Sequence, residues 1–200
     1  LKVSGETPVE LHNENVAFRF DAAAGLGLAG MRDLASGREL LAPAAGAAER
    51  MTLWELRLFQ GAEMPLSVSN LSASETRHRL TREGRRQLLE LTWDKLAVGQ
   101  SRDALTVRVT VELEDGAPLA RWRLEAVAQP PWRVWGATFP CVRGVRDLGD
   151  DYLAVPSYMG RIVHDPAKRL TPLRLTYPGI WSMQFVAAWG SEELTLPPPP

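Results

Sequence analysis

The sequence has little cysteine, little net charge and no long hydrophobic run, and each shortage excludes a class of protein. The single cysteine, Cys141, excludes an internal disulfide and a zinc site built on cysteines. The net charge is -1, which gives no reason to expect binding to nucleic acid, since such binding needs a basic stripe. No apolar run approaches the roughly 20 residues that a membrane-spanning helix needs. We therefore expect neither nucleic acid nor a membrane among the partners.

Motifs for catalysis, metals and cofactors are also lacking. The sequence contains no Gly-x-Ser-x-Gly, P-loop or dinucleotide-binding pattern. The histidines lie far apart with no second ligand at close spacing, and the aspartates around Gly149 are typical of a solvated turn. These residues are His12, His78, His164, Asp147, Asp150 and Asp151. We expect no metal, no cofactor and no catalytic residue that a motif identifies.

What the sequence has instead is strict alternation of apolar and polar residues, most clearly over 105–127. Side chains of a strand point to opposite faces with period two, so this stretch has one apolar and one polar face. Asp115 and Gly116 tolerate positive φ and Pro118 cannot donate to a sheet, which predicts a turn between two antiparallel strands. The apolar face of this hairpin should be buried, and it comprises Val107, Val109, Val111, Trp122 and Leu124.

The same alternation recurs along the chain in short segments, with turn signals roughly every 8–12 residues. No window has a helical period. The expected fold class is all-β, an antiparallel two-sheet β-sandwich with little or no helix. One sandwich domain is expected over 1–196, followed by a proline-rich tail or linker over 197–200. The glycine-rich segment 25–34 indicates a strand that packs closely or contains a bulge.

Among the seven tryptophans, those near loops are the most informative for function. Sugar rings stack their apolar C–H faces on flat aromatic rings, so a tryptophan near a loop is a candidate sugar platform. Trp132 and Trp135 follow two prolines, and Trp181 follows Tyr177 across a Pro-Gly turn. These four residues are our candidates for carbohydrate binding, and packing against the sheet is the favoured alternative for them.

Several segments carry a family resemblance. The early ones lie at 18–21, 25–33 and 36–41, and the later, more specific ones lie at 118–124, 139–144, 150–156, 160–161 and 177–185. The early segments resemble galactose-mutarotase-like supersandwich domains, the β-sandwich part of several multidomain glycoside hydrolases. The later segments resemble the N-terminal region of a group of uncharacterised bacterial glycoside-hydrolase-like proteins. The resemblance covers nearly the whole chain, to about residue 189.

The resemblance implies a non-catalytic role for this chain. In that group a (β/α)-barrel follows the sandwich and holds the catalytic carboxylates. This chain would then be the N-terminal domain of a glycoside hydrolase, supporting the downstream barrel of the same polypeptide and contributing to carbohydrate binding. The segment 193–197 departs from the group's pattern. True mutarotases use a histidine pair and a glutamate, which no motif maps onto this chain, so epimerase activity is not carried over.

Three alternatives remain open: a free-standing carbohydrate-binding module, a mutarotase-like aldose epimerase, and a purely structural interaction domain. An exposed tryptophan on a concave face would favour binding. A histidine and a glutamate that converge in a cleft would favour the epimerase, and a broad exposed apolar patch would favour an accessory domain. We also hypothesise that Tyr177 or Trp181 faces a sugar cleft at the interface with the barrel. Nothing in the sequence indicates the cellular compartment.

Overall fold

The computed structural model describes residues 8–42, 48–61, 64–147, 149–157, 160–170 and 185–190. These residues form thirteen strands and three helical segments of four residues or fewer. The strand pairings among them are all antiparallel. The expected antiparallel all-β class with little helix is confirmed, whereas packing as a two-sheet supersandwich stays a prediction.

Contacts divide the chain into two compact units, Leu1–Val145 and Arg146–Pro200. The single domain expected over 1–196 stays a prediction. The described strands of the first unit are β1 (Val9–His12), β2 (Val16–Asp21), β3 (Gly27–Asp33), β4 (Glu55–Phe59), β5 (Leu66–Ser69), β6 (Glu75–Glu83), β7 (Arg86–Val98), β8 (Ser101–Glu114), β9 (Ala120–Ala128) and β10 (Arg133–Thr138). Two short 3-10 turns, Ala48–Met51 and Asn70–Ser72, flank β4 and β5.

The strands of the first unit form three sheets around one hydrophobic core. Their orders are β1-β2-β3, β10-β4-β5 and β6-β7-β8-β9. Each sheet contributes its apolar face to the core, since the buried positions alternate with polar ones along β1, β4, β7 and β8. The opposite faces of these sheets are left to polar side chains, and it is there that binding surfaces can form.

Strands β8 and β9 form the predicted central hairpin. Its three inner valines are fully buried, as expected: Val107, Val109 and Val111. Trp122 and Leu124 are only half-buried, which corrects the expectation that they are buried. The reason is that β9 is the edge strand of its sheet, so solvent reaches one flank of its inner side chains. Trp122 still packs edge-on against Phe18, with 5.2 Å between ring centroids.

The glycine-rich segment forms β3 and the turn before it. Gly25 has a φ of 61°, and its carbonyl oxygen accepts a hydrogen bond from the indole N–H of Trp93 at 2.8 Å. A Cβ on Gly27 would lie 2.1 Å from the carbonyl oxygen of Met51, so no side chain fits there. Ala29 is the extra residue of a bulge in the β2–β3 pairing. The close packing and the bulge proposed for this segment are thus both present.

The described part of the second unit is a three-stranded sheet with one short helix. Its elements are β11 (Asp151–Val155), β12 (Arg161–His164), α1 (Pro166–Arg169) and β13 (Ala187–Gly190), in the sheet order β12-β11-β13. The ring of Tyr152 stacks on its cross-strand partners His164 and Trp189, at centroid distances of 4.8 and 5.8 Å. The three rings form a row across this sheet.

Candidate functional site

Trp135 is a predicted sugar-platform residue that the structure leaves open to solvent. It lies on β10, an edge strand of the sheet with β4 and β5, and is 63% exposed. Its ring meets Phe59 of β4 edge-on, with 5.5 Å between centroids and 83° between ring planes. This contact orients the ring while most of its surface faces water, as a stacking platform requires.

A β-bulge determines the direction of Trp135. Val134 pairs with Leu58 and Gly136 pairs with Arg57, so Trp135 is the extra residue between two consecutive partners. A bulge of this kind interrupts the alternation of a strand and re-aims its side chains. Trp135 therefore lies on the outer side of the sheet with Arg57, opposite the fully buried Leu58.

The outer side of this sheet carries polar and aromatic residues from all three strands. Each outward residue of β4 has a cross-strand partner on the same side, from β5, β10 or both. We call this surface the β4 face, and it consists of Glu55, Arg57, Phe59, Ser67, Ser69, Arg133, Trp135, Gly136 and Thr138. Glu55, at the carboxylate end, and Phe59, at the aromatic end, are four residues apart on β4. At about 3.3 Å per residue of a strand, the two ends are about 13 Å apart.

Two guanidinium groups flank the aromatic pair of the β4 face. A Cβ on Gly136 would lie 3.1 Å from Nη2 of Arg57, so the guanidinium occupies the space that a side chain would take. Arg133 is the cross-strand partner of Phe59 and is also exposed. Among the described residues, neither arginine has a hydrogen-bonding or ion-pairing side-chain partner. Their positive charges are therefore available to a ligand.

A cleft of about 350 Å³ adjoins the other end of the β4 face. Two carboxylates, one guanidinium and several hydroxyls line it: Glu49, Glu55, Arg143, Thr52, Ser67, Ser69 and Ser72, together with Val68 and Leu71. The hydroxyl of Ser69 accepts the N–H of Leu71 at 3.3 Å, and that of Ser72 accepts the N–H of Ser69 at 3.4 Å. Carboxylates accept and guanidinium groups donate in pairs, so this lining can bind neighbouring hydroxyls of a sugar.

Cys141 lies close to this cleft and is a buried, hydrogen-bonded side chain. Its Sγ donates a hydrogen bond to the carbonyl oxygen of Thr138 at 3.5 Å, and its N–H donates to that of Leu53 at 2.8 Å. Burial raises the pKa of the Cys141 thiol, an effect that Arg143 opposes and Glu55 reinforces. The thiol therefore stays protonated at neutral pH and packs as a small apolar group.

The other three aromatic candidates are not brought together with Trp135 by the described structure. Trp132 is 7% exposed and belongs to the hydrophobic core, a position that favours the packing alternative over a sugar platform. Its ring is 3.6 Å from the place where a Cβ on Gly99 would lie. Tyr177 and Trp181 fall outside the described residues, so the hypothesis that their turn faces a sugar cleft stays a prediction.

A second cleft, of about 280 Å³, lies on the outer side of the β1-β2-β3 sheet. Its lining includes His12, Glu10, Glu39 and Arg19. The carboxylate of Glu39 accepts the backbone N–H of Met31 at 3.1 Å, which fixes its position. A histidine and a glutamate in one cleft are the arrangement that favours the epimerase alternative, although His12 is the one histidine among the described lining residues.

The aspartates and histidines behave as side chains of turns and sheets. Asp147 accepts the N–H of Gly149 at 2.8 Å, as in the turn that the sequence favours. The ring nitrogen Nε2 of His164 is hydrogen-bonded to the carboxylate of Asp150. Within the described ranges, no group of three or more His, Cys, Asp or Glu residues is placed to hold a metal ion. That part of the chain also has no helix of the length and apolar character needed to cross a membrane.

Sequence reasoning identified Trp135 but missed the residues that surround it. Arg57, Phe59 and Glu55 alternate with apolar residues in an ordinary strand pattern, which does not reveal a binding surface. One local signal was present, because a glycine inside a strand, as in Trp135-Gly136, often marks a bulge. The cleft beside Glu55 depends on residues distant in sequence, which no local pattern relates.

Comparison with known proteins leaves the site to be interpreted from its chemistry. No protein-family model matches the sequence, and no curated protein matches it either. The resemblance to galactose-mutarotase-like supersandwich domains therefore stays a prediction that rests on the segments quoted above.

Proposed function

We propose that this chain is a non-catalytic, carbohydrate-binding β domain of a glycoside hydrolase, and that the β4 face is its sugar-contact surface. The exposed ring of Trp135, oriented by Phe59 and directed outward by a bulge, is the observation that supports this most. Covering a large exposed aromatic ring with an apolar surface lowers the free energy, and the C–H side of a sugar ring offers such a surface.

The polar residues of the β4 face support the same function. A platform ring fixes the plane of a sugar, but hydroxyl recognition needs acceptors and donors beside it. Glu55 supplies hydrogen-bond acceptors and Arg57 supplies donors. The serine hydroxyls of the cleft can both donate and accept hydrogen bonds. The separation of about 13 Å between the two ends suits an oligosaccharide chain along β4 better than a single sugar.

The family resemblance supplies the proposed partner. In the group that the later segments resemble, the sandwich precedes a catalytic (β/α)-barrel. We propose that this chain supports such a barrel and brings a glycan chain to it, so its ligand is the substrate of the downstream domain. The hydrolytic carboxylates would then belong to the barrel.

The proposal is tested by binding to a panel of soluble polysaccharides, measured by affinity electrophoresis and calorimetry. Trp135→Ala should weaken binding about tenfold, since covering about 60 Å² of apolar ring surface at roughly 25 cal/mol per Å² contributes about 1.5 kcal/mol. Leu80→Ala is the matched control, because Leu80 is an exposed apolar residue on a different sheet. Absence of binding to every glycan tested, or equal binding by both variants, would refute the proposal.

The second cleft supports one alternative function, that of an aldose epimerase. Ring opening and closure need a proton acceptor and a proton donor, which His12 and Glu39 could supply. Nuclear magnetic resonance of freshly dissolved α-glucose or α-galactose measures the interconversion directly. Acceleration that is lost in His12→Asn and kept in His78→Asn would favour the epimerase over the binding domain.

A further inference from the structure

We infer that the aromatic end of the β4 face selects a glycan that carries carboxylate groups, that is, a chain containing uronate residues. The inference rests on the proposed function, because it names the ligand class of the same surface. It concerns the part of the face around Trp135 and Phe59, where Arg57 and Arg133 lie.

The first observation is the position of the two guanidinium groups. Arg57 is the partner of Gly136, next to Trp135 in sequence, and its guanidinium lies over the glycine. Arg133 is the partner of Phe59, the ring that orients Trp135. A sugar stacked on Trp135 therefore has a guanidinium within reach on each side of the ring pair.

The second observation is that none of the described residues neutralises these two charges. On the outer side of the large sheet, three arginines pair with carboxylates: Arg77 with Asp94, and Arg86 and Arg121 with Glu112. Arg57 and Arg133 have no such partner among the described residues. An unpaired guanidinium beside an aromatic platform complements a carboxylate, which it binds through two parallel hydrogen bonds.

The carboxylates of the face give the bound chain a direction. Glu55 and Glu49 outnumber the one guanidinium of the cleft at the far end, that of Arg143, so the net charge there would repel an anionic group, while the carboxylates accept hydrogen bonds from hydroxyls. A uronate is therefore favoured at the Trp135 end and a neutral sugar at the cleft end. Because Arg57 and Arg133 are exposed, their attraction should weaken as salt is added.

The test compares oligogalacturonates and oligoalginates with their methyl-esterified forms, which keep the sugar ring and remove the charge. Calorimetry at low and high salt would give the affinity of the unaltered chain and of three variants. Arg57→Gln removes a guanidinium from the face, Trp135→Ala removes the platform, and Arg108→Gln is the control, an exposed arginine on the outer side of another sheet.

We expect Arg57→Gln to lose about tenfold in affinity for the charged oligosaccharide, because the two parallel hydrogen bonds from the guanidinium to the carboxylate are lost. The same variant should lose clearly less affinity for the esterified form, to which Arg57 can donate only neutral-acceptor hydrogen bonds, and Arg108→Gln should change neither affinity. If the esterified form binds as tightly as the charged form, and Trp135→Ala weakens the binding of both, the inference is overturned and the proposed function stands. If no oligosaccharide binds, both fail. Binding of single-stranded DNA equal to that of uronates and independent of Trp135 would show mere polyanion attraction and also overturn the inference.

Discussion

The side-chain oxygen of Asn70 accepts the backbone N–H of Leu53 at 2.7 Å, inside the core of the first unit. The amide of Asn70 also donates to the carbonyl oxygens of Gly25, at 3.2 Å, and Met51, at 3.1 Å. One fully buried side chain thus satisfies three backbone groups from the segments before β3 and β4. It anchors the start of the strand that carries the β4 face.

Asn70→Ala should destabilise the protein by about 3 kcal/mol, because it leaves buried backbone groups without partners. Urea unfolding followed by tryptophan fluorescence measures the loss. Ser74→Ala, at an exposed position four residues away, should stay within about 0.5 kcal/mol of the unaltered chain. A loss below about 1 kcal/mol for Asn70→Ala would mean that water replaces the amide.

Two tryptophans of the large sheet should differ in their contribution to stability. Trp93 is fully buried, and its indole N–H donates to Gly25, so Trp93→Ala should cost about 3–5 kcal/mol. Trp122 is half-buried on an edge strand, so Trp122→Ala should cost about 2 kcal/mol, below the range for core aromatics. Denaturant titration of both variants gives the ranking, and the reverse order would show that β9 is covered in solution.

Glu112 should contribute to the free energy of unfolding in a way that depends on pH. Its hydrogen bond with Arg86 lowers the pKa of the Glu112 carboxyl, with Arg121 adding to the effect. A carboxyl with a lowered pKa stabilises the fold above its unfolded-state pKa, and that contribution is lost as pH falls through the lowered value. Glu112→Gln should therefore slightly lower the free energy of unfolding at neutral pH and have no effect in strong acid.

The control for Glu112 is Glu125→Gln, on the same side of the same sheet but without an ion pair in the described residues. Glu125→Gln should change the free energy of unfolding by no more than about 0.5 kcal/mol at neutral pH. High salt should also reduce the difference between Glu112→Gln and the unaltered chain, because the pair is partly exposed. A constant difference from neutral to acid pH would show that the ion pair contributes nothing.

The chain by itself should not hydrolyse glycosides. This follows from the proposal that the catalytic carboxylates belong to a downstream barrel, and it is checked with a panel of aryl-glycosides. Glu49 and Glu55 share a cleft and are the residues to examine if turnover is found. Hydrolysis that disappears in Glu49→Gln or Glu55→Gln would reassign that cleft from binding to catalysis.

The strands could be predicted from the sequence, because apolar and polar residues alternate along a strand that has one buried and one exposed face. The hairpin over 105–127 was predicted with its turn and its buried valines. The half-burial of Trp122 could not be predicted, since edge position is a property of sheet order. The burial of Trp132 agrees with the packing interpretation, although a residue after two prolines has no periodicity from which its burial could be read.

The candidate site was less predictable than the fold. Trp135 was identified as a ring near a loop, but its neighbours Arg57 and Phe59 are more than seventy residues earlier in the chain. Cross-strand register brings them together, and register follows from the whole sheet rather than from any one segment. Glu55 was visible as a polar position of a strand, and its cleft required the turn Asn70–Ser72 to be in place.

The bulge in β10 means that the β4 face depends on the number of residues as much as on their kind. Trp135 and Thr138 are three apart, and regular alternation would put them on opposite sides. Deleting one residue from this part of β10 would restore the alternation. The side chains at one end of the strand would then point to the opposite face of the sheet, without a change in the fold's core. A related chain one residue shorter here could keep every strand and still have lost the ring from its sugar-contact surface. Length between Pro131 and Pro140 is therefore a better guide to the ligand of such a relative than its overall identity.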